Sequence, residues 1–322
     1  MTDVSIASHP SERIEPRRAD RPRGNRPQRY RAAPYLFLLP YFVLTAVFFL
    51  YPLGYATLLA FYQTNGPGTK AFVGLSNFKF LIGDSDFHKA LWNTSVFAFF
   101  SICLQLPLSL ALAMLLNSKI GRMKGFFRLA IFAPNLVGQV FVGVLFMVLF
   151  TPRYGLFNVL LQELFHKGLE MQWLNEPALV MPAIIIASLW LYVGFNMIYF
   201  LAALQNVEQS LVEAARIDGA GPVGIFFNVT IPAIMPVATF VIVTSTIGSF
   251  QLFELPFTLL QQQNGGYGPS DSGMTVVGYL YRNAFDSGDL GIAAAIGWLL
   301  TFLVLAISLV QVWLAQRVGS ET

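Results

Sequence analysis

VEAARIDGAGPVGIFFNVTIP, residues 212–232, interrupts an otherwise apolar half of the chain. It begins polar, is dense in small residues, and lies between two stretches long enough to cross a bilayer. Gly219, Gly221 and Gly224 satisfy a G-x-G-x-x-G spacing. In a dinucleotide-binding fold that spacing follows a buried strand and precedes an acidic residue about 20 positions on. Here the residues beyond Thr230 re-enter an apolar run, so the glycines read as punctuation between helices. Ser210 and Glu213 have the spacing of a capping box. That predicts a helix over 211–217 stopping at Asp218-Gly219, where glycine accepts a positive φ. Pro222 suits the first turn of a second short helix over 223–229, and Pro232 marks re-entry into the next apolar segment. Residues 205–232 therefore read as helix, turn, helix along a membrane face.

Outward from this loop the chain is too apolar to solvate its own surface. Of 322 residues 55% are hydrophobic and 11% charged, against roughly 25% charged in a soluble domain. A membrane-spanning helix needs about 20 apolar residues, and six segments qualify, near 35–62, 91–116, 129–150, 181–204, 233–255 and 291–314. The expected architecture is an all-α membrane protein of six transmembrane helices over 33–316, with the polar loop between the fourth and fifth. Residues 1–32 hold eight arginines and no apolar core, which predicts a disordered basic tail without a signal peptide. Placing that tail in the cytoplasm puts fourteen Lys/Arg on the inner side and six on the outer. Both termini, including a short tail over 317–322, are then cytoplasmic.

Prolines such as Pro107, Pro134 and Pro236 are expected to kink their spans. The run GIAAAIG pairs Gly291 with Ala295 and Ala293 with Gly297, a small-xxx-small spacing that admits another helix. Between the third and fourth spans, Phe157, Leu160, Leu161 and Leu164 predict a surface helix with one apolar face.

What the spans lack narrows the chemistry. Only Glu254 approaches a span as a charged residue, and the histidines, His9, His88 and His166, all lie outside. A proton- or sodium-driven transporter usually carries an ionisable group near the midplane. There is no G-x-x-x-x-G-K-[ST] phosphate loop, no H-E-x-x-H, no G-x-S-x-G and no His/Cys set at metal-ligand spacing. No catalytic residue, metal or nucleic-acid role is expected, and Cys103 stands alone in an apolar run. Energy for uphill transport would have to come from another chain. On these residues alone, a capped surface helix with no partner fits the loop as well as a docking element does.

The pattern EAARIDGAG followed by FFNVTIP resembles the EAA loop of ATP-binding-cassette importer permeases. Glu213, Ala214, Ala215, Asp218, Gly219 and Ala220 carry the match, with Phe227, Ile231 and Pro232 in its distal half; Ile231 departs from the more usual leucine. The stretches FVGLSNFKFL, ALWNTSVF, SFQLFELPFTLL and YLYRNAF…DLGIAAA are similar to carbohydrate permeases of maltose or lactose type. The likeness is to the first of the two permeases such systems use, since the chain lacks the basic, glycine-ended terminus of the second. It implies a non-catalytic subunit of a bacterial cell membrane. The implied partners are a second permease, a pair of ATPases holding ATP and Mg, an extracytoplasmic sugar-binding protein, a sugar and membrane lipid. The loop would dock in a cleft of the ATPase.

Sugars bind through aromatic faces and neutral hydrogen-bonding groups. Tyr192, Asn196 and Tyr199 share a helix face at i, i+4 and i+7. Ser245 and Ser249 pair in the fifth span, and Asn135 and Gln139 in the third. Tying helices together is the ordinary role of such groups. A phosphate-bearing cargo such as glycerol phosphate would call for a basic residue in the spans, where there is none. A stand-alone secondary transporter or channel and a scaffold without transport are the other readings.

Overall fold

A computed structural model of the chain describes residues 33–64, 66, 68, 70–118, 123–165 and 170–319. The expected basic tail, Lys119, Arg122, His166, Lys167 and the last three residues lie outside these. By contacts the chain divides into a unit ending at Leu53 and another from Gly54 onward. The first unit's described part is helical, with one π turn at Ala46–Leu50 in which Tyr51 N–H reaches the Ala46 carbonyl. The wider turn comes directly before Pro52. A proline offers no N–H to the turn behind it and its ring crowds a carbonyl there, and the π turn absorbs that misfit.

The run Tyr35–Leu59 (α1) is the first of five helices long and apolar enough to cross a membrane. A short hairpin follows, β1 (Tyr62–Thr64) antiparallel to β2 (Lys70–Phe72), then α2 (Ser76–Gly83) and the long α3 (Ser85–Asn117). Asp84 caps α3 by accepting from the amides of Asp86 and Phe87. The third apolar segment departs from expectation. It is two helices, α4 (Lys124–Val137) and α5 (Gln139–Leu149), bent by 100°. The break falls at Gly138, with φ 89° and ψ 156°, a region essentially confined to glycine. Next come α6 (Leu156–Phe165) and α7 (Pro177–Gln205). Then α8 (Gln209–Ile217) leads to a helix running unbroken over Pro222–Phe250 (α9). The chain ends through two short helices, α10 (Glu254–Leu259) and α11 (Val276–Tyr281), and the last span α12 (Leu290–Gly319).

Helix α7 is the hub of the second unit. It packs on α3, α4 and α9, burying Met197, Phe200, Leu201 and Leu204 with Leu106, Ala113, Ile234 and Val241. Ser109 on α3 donates to the Val193 carbonyl at 2.9 Å, an interhelical hydrogen bond of the kind that ties membrane helices together. The next residue, Gly194, brings α7 against the backbone of α4; a Cβ there would lie 1.9 Å from the Ile131 carbonyl oxygen. A second core joins α5, α7 and α10 through Phe146, Phe150, Ile184, Leu255 and Leu259.

Of the glycines of the last span, Gly297 lets another helix approach as expected, and Gly291 has a different use. A Cβ on Gly291 would sit 1.8 Å from the Tyr62 carbonyl, so this glycine makes room for β1, while Gly297 faces Leu280 of α11. The junction is tied by polar groups. Asp289 accepts from the amides of Gly291 and Ile292, Thr64 accepts from Leu290, and Asn77 donates to the carbonyls of Ala60 and Tyr62. These contacts account for the asparagine of FVGLSNFKFL and the aspartate and glycine of DLGIAAA. The arginine of YLYRNAF has a similar role. Arg282 bridges Asp86 (2.8 Å) and Asp271 (3.4 Å) and lies over the rings of Tyr267 and Tyr279, strapping the 254–289 segment to the start of α3. Burial, together with the hydrogen bond Tyr279 gives to Asp84, pushes the Tyr279 hydroxyl up to about 12.

The expected amphipathic helix exists as α6, but its apolar side is split. Phe157 packs against Phe150 and Trp173, and Leu161 joins the same core, while Leu160 and Leu164 stay exposed. Asn158, fully buried, pins the helix by donating to the Pro152 and Met171 carbonyls and accepting from the Trp173 indole.

Candidate functional site

Two regions carry the candidate residues. The first is the loop opened by α8. Its helix starts at Gln209, behind an extended Glu208, and no side chain caps it. Ser210 is therefore already inside the helix, and its hydroxyl turns back to Glu208 at 3.3 Å. The capping box read from Ser210 and Glu213 does not form, and Glu213 is left exposed. The stop signal was read correctly. Gly219 adopts φ 82°, its amide bonds the Arg216 carbonyl, and the Ala220 amide bonds that of Ala215 at 2.9 Å. That pair of bonds is a Schellman closure. The separate second helix is a further correction. The chain enters α9 at Pro222 and passes through one π turn, Phe226–Thr230, into the fifth apolar segment. As at Pro52, the wide turn directly precedes the constraint that Pro232 imposes, so Pro232 lies within the helix and does not begin it.

Ala214, Asp218, Gly219 and Phe227 are exposed, and Ala215, Ala220 and Pro232 are half-buried. Ile217, which the sequence did not single out, is 87% exposed. Leu211, Val223 and Phe227 are exposed beside it in sequence. Apolar side chains presented on either side of a rigid turn offer a partner a hydrophobic contact. An isoleucine directly before a helix stop was the available signal.

The second region is a cavity of about 400 Å³ in the second unit. Helix α7 contributes Tyr192, Phe195 and Asn196, and α9 contributes Thr244, Ser245, Gly248 and Ser249, with Gln251 and Leu252 just beyond its end. Helix α3 supplies Phe97 and Gln105, and Asn135 and Gln139 stand on either side of the Gly138 break. Asn196 donates to Ser245 at 3.2 Å. The expected Tyr192–Asn196 and Ser245–Ser249 pairs thus meet across one space. Tyr199 does not line it; its ring packs on Phe195 and Phe240 one helix turn further along. Gln105, Thr244 and Gln251 were missed. A mid-span glutamine next to Pro107 was the signal for Gln105.

The lining holds aromatic rings, amides and hydroxyls, and no charged side chain. Such a wall can hydrogen-bond a neutral polar solute but offers no counter-charge to an ion. Membrane-length helices around a polar cavity, with a projecting apolar-tipped loop at residues 206–221, define a solute permease. The chain belongs to the family of binding-protein-dependent transport system inner membrane components, whose model matches residues 105–320. It is 37% identical over 293 residues to the arabinooligosaccharides transport system permease AraP of Bacillus subtilis, covering 90% of this chain and 91% of that one. It is 34% identical to the sn-glycerol-3-phosphate transport system permease UgpA of Yersinia pestis, over 88% of this chain and 94% of that one. In fold it matches a solved bacterial transporter involved in import of the acidic polysaccharide alginate, with TM-score 0.77, 23% identity and coverage of 88% and 95%.

Proposed function

We propose that this permease is the membrane-spanning subunit of an ATP-driven carbohydrate importer. It takes cargo from an extracytoplasmic binding protein and works with a second permease and a pair of ATPase subunits. The observation that carries the reading is the α8 loop, a Schellman-closed turn with Ile217 and Phe227 exposed in a chain without a nucleotide-binding motif of its own. The excess of Lys/Arg on its side supports a cytoplasmic loop, which would sit in the ATPase. Ala214 and Ala215 keep the helix slim, and Glu213 and Arg216 offer polar contacts at its rim. Closure of the ATPases on ATP would move the loop and switch the cavity between the two sides of the membrane.

A pull-down of the tagged chain in mild detergent, with mass spectrometry of what is retained, tests this. A P-loop ATPase and a second six-span chain are expected. The ATPase should be lost from Gly219→Trp and Ala215→Trp variants that still insert normally. A tagged chain recovered alone, in a detergent that preserves such assemblies, sinks the reading.

In the cavity, Asn196→Leu removes an amide that pairs with Ser245 and lines the space a solute would fill, where each hydrogen bond is worth about 0.5–1.5 kcal/mol. Uptake should fall at least tenfold at unchanged membrane levels; uptake at the wild-type rate removes Asn196 from the site. Glycerol phosphate is the second reading, favoured by the likeness to UgpA. The uncharged cavity wall opposes it.

A further inference from the structure

Several buried polar atoms among the described residues have no hydrogen-bond partner, and of these only the Gln139 carboxamide oxygen belongs to a residue lining the cavity. Gln139 is the first residue after the Gly138 break, at the start of α5. A buried acceptor without a donor is unfavourable, and natural proteins keep few of them. The terminal torsion of a glutamine is soft and roughly two-fold, so a half-turn of the amide exchanges its oxygen and NH2 and brings the oxygen to the cavity without moving the backbone. What satisfies it there has to be a donor.

We propose that Gln139 is a specificity-determining residue, its carbonyl oxygen accepting a hydrogen bond from a hydroxyl of the cargo, within a wall whose lack of charge restricts transport to uncharged, hydroxyl-rich solutes. This rests on the importer reading and deepens it. A sugar hydroxyl both donates and accepts, and can pair with Gln139 and with the hydroxyls of Thr244 and Ser249. A phosphate or carboxylate presents acceptors only. It could meet only the Gln139 NH2 and not its oxygen, in a wall with no cation to offset the charge.

The test uses the complete complex recovered with this chain, reconstituted in proteoliposomes and supplied with ATP and its binding protein. Labelled arabinobiose, lactose and maltose are the neutral probes; sn-glycerol 3-phosphate and an alginate trisaccharide are the anionic ones. Uptake confined to the neutral group is expected. Uptake of either anion overturns the inference while leaving the importer reading intact, whereas no ATP-dependent uptake of any probe counts against the importer reading. Gln139→Met, similar in size but without the acceptor, should raise KM about five- to tenfold with kcat little changed, the signature of lost uniform binding. In a series of deoxy-sugars, one deoxygenated position should weaken uptake by wild type and have no further effect in Gln139→Met. Equal losses in both proteins, or an unchanged KM, would show that Gln139 only shapes the wall.

Discussion

Replacing Gly194 with leucine is expected to leave little folded protein in the membrane. The added Cβ alone would lie 1.9 Å from the Ile131 carbonyl oxygen, 2.6 Å from its carbon and 3.0 Å from the Phe132 Cα. All three are backbone atoms, so nothing can rotate aside, and α4 would have to leave α7. Overpacking commonly costs about 1–3 kcal/mol where side chains can give; here a whole helix contact is displaced and the loss should exceed that range. Gly125→Leu is the control, because nothing stands within 4 Å of the Cβ it would add. Immunoblots of membrane fractions and fluorescence-detected thermal melting compare the two. Wild-type abundance and melting of Gly194→Leu would mean that α4 and α7 are not in backbone contact.

Gly138→Val should give the opposite pattern, protein present and transport lost. No atom lies within 4 Å of a Cβ at this position, so the variant can fold around it. Its φ of 89° and ψ of 156° are nearly closed to valine, and holding them costs about 1–3 kcal/mol. The third segment is then drawn toward a straighter helix, which moves Asn135 and Gln139 from the positions the break gives them in the cavity wall. Uptake per inserted molecule is expected to drop more than tenfold. Paired spin labels on α4 and α5 would report the changed bend, and unchanged uptake with an unchanged distance would show that the break tolerates a side chain.

The contrast between these two glycines shows how far the sequence could be read. The apolar lengths located the five continuous spans, because the bilayer sets the length and composition satisfies it directly, although the fifth begins at Pro222, eleven residues ahead of the expected start. The break in the third was hidden, since Gly138 in LVGQV resembles any glycine tolerated in a membrane helix. Periodicity placed Tyr192 with Asn196 and Ser245 with Ser249, but a helix face does not say which neighbour it meets. Tyr199 therefore fell against Phe240, outside the cavity, and Gln105 entered from a helix two spans earlier. At the loop, Gly219 announced the stop because few residues take its φ. Ser210 misled because a cap depends on where the helix starts, and the helix began ahead of it at Gln209.

The uninterrupted course of α9 has a mechanical consequence. From Val223, exposed at the loop, to Ser245, in the cavity wall, the chain is one helix of 22 steps, about 33 Å at 1.5 Å per residue. A stiff rod of that length has no slack. A sideways push at its loop end reaches the serines as tilt, and a twist reaches them as rotation. Two irregularities lie along the way, the wide turn at Phe226–Thr230 beside the pushed end and Pro236 just beyond it. The lever is therefore jointed near its handle and regular over the stretch beyond Pro236 that carries Ser245 and Ser249.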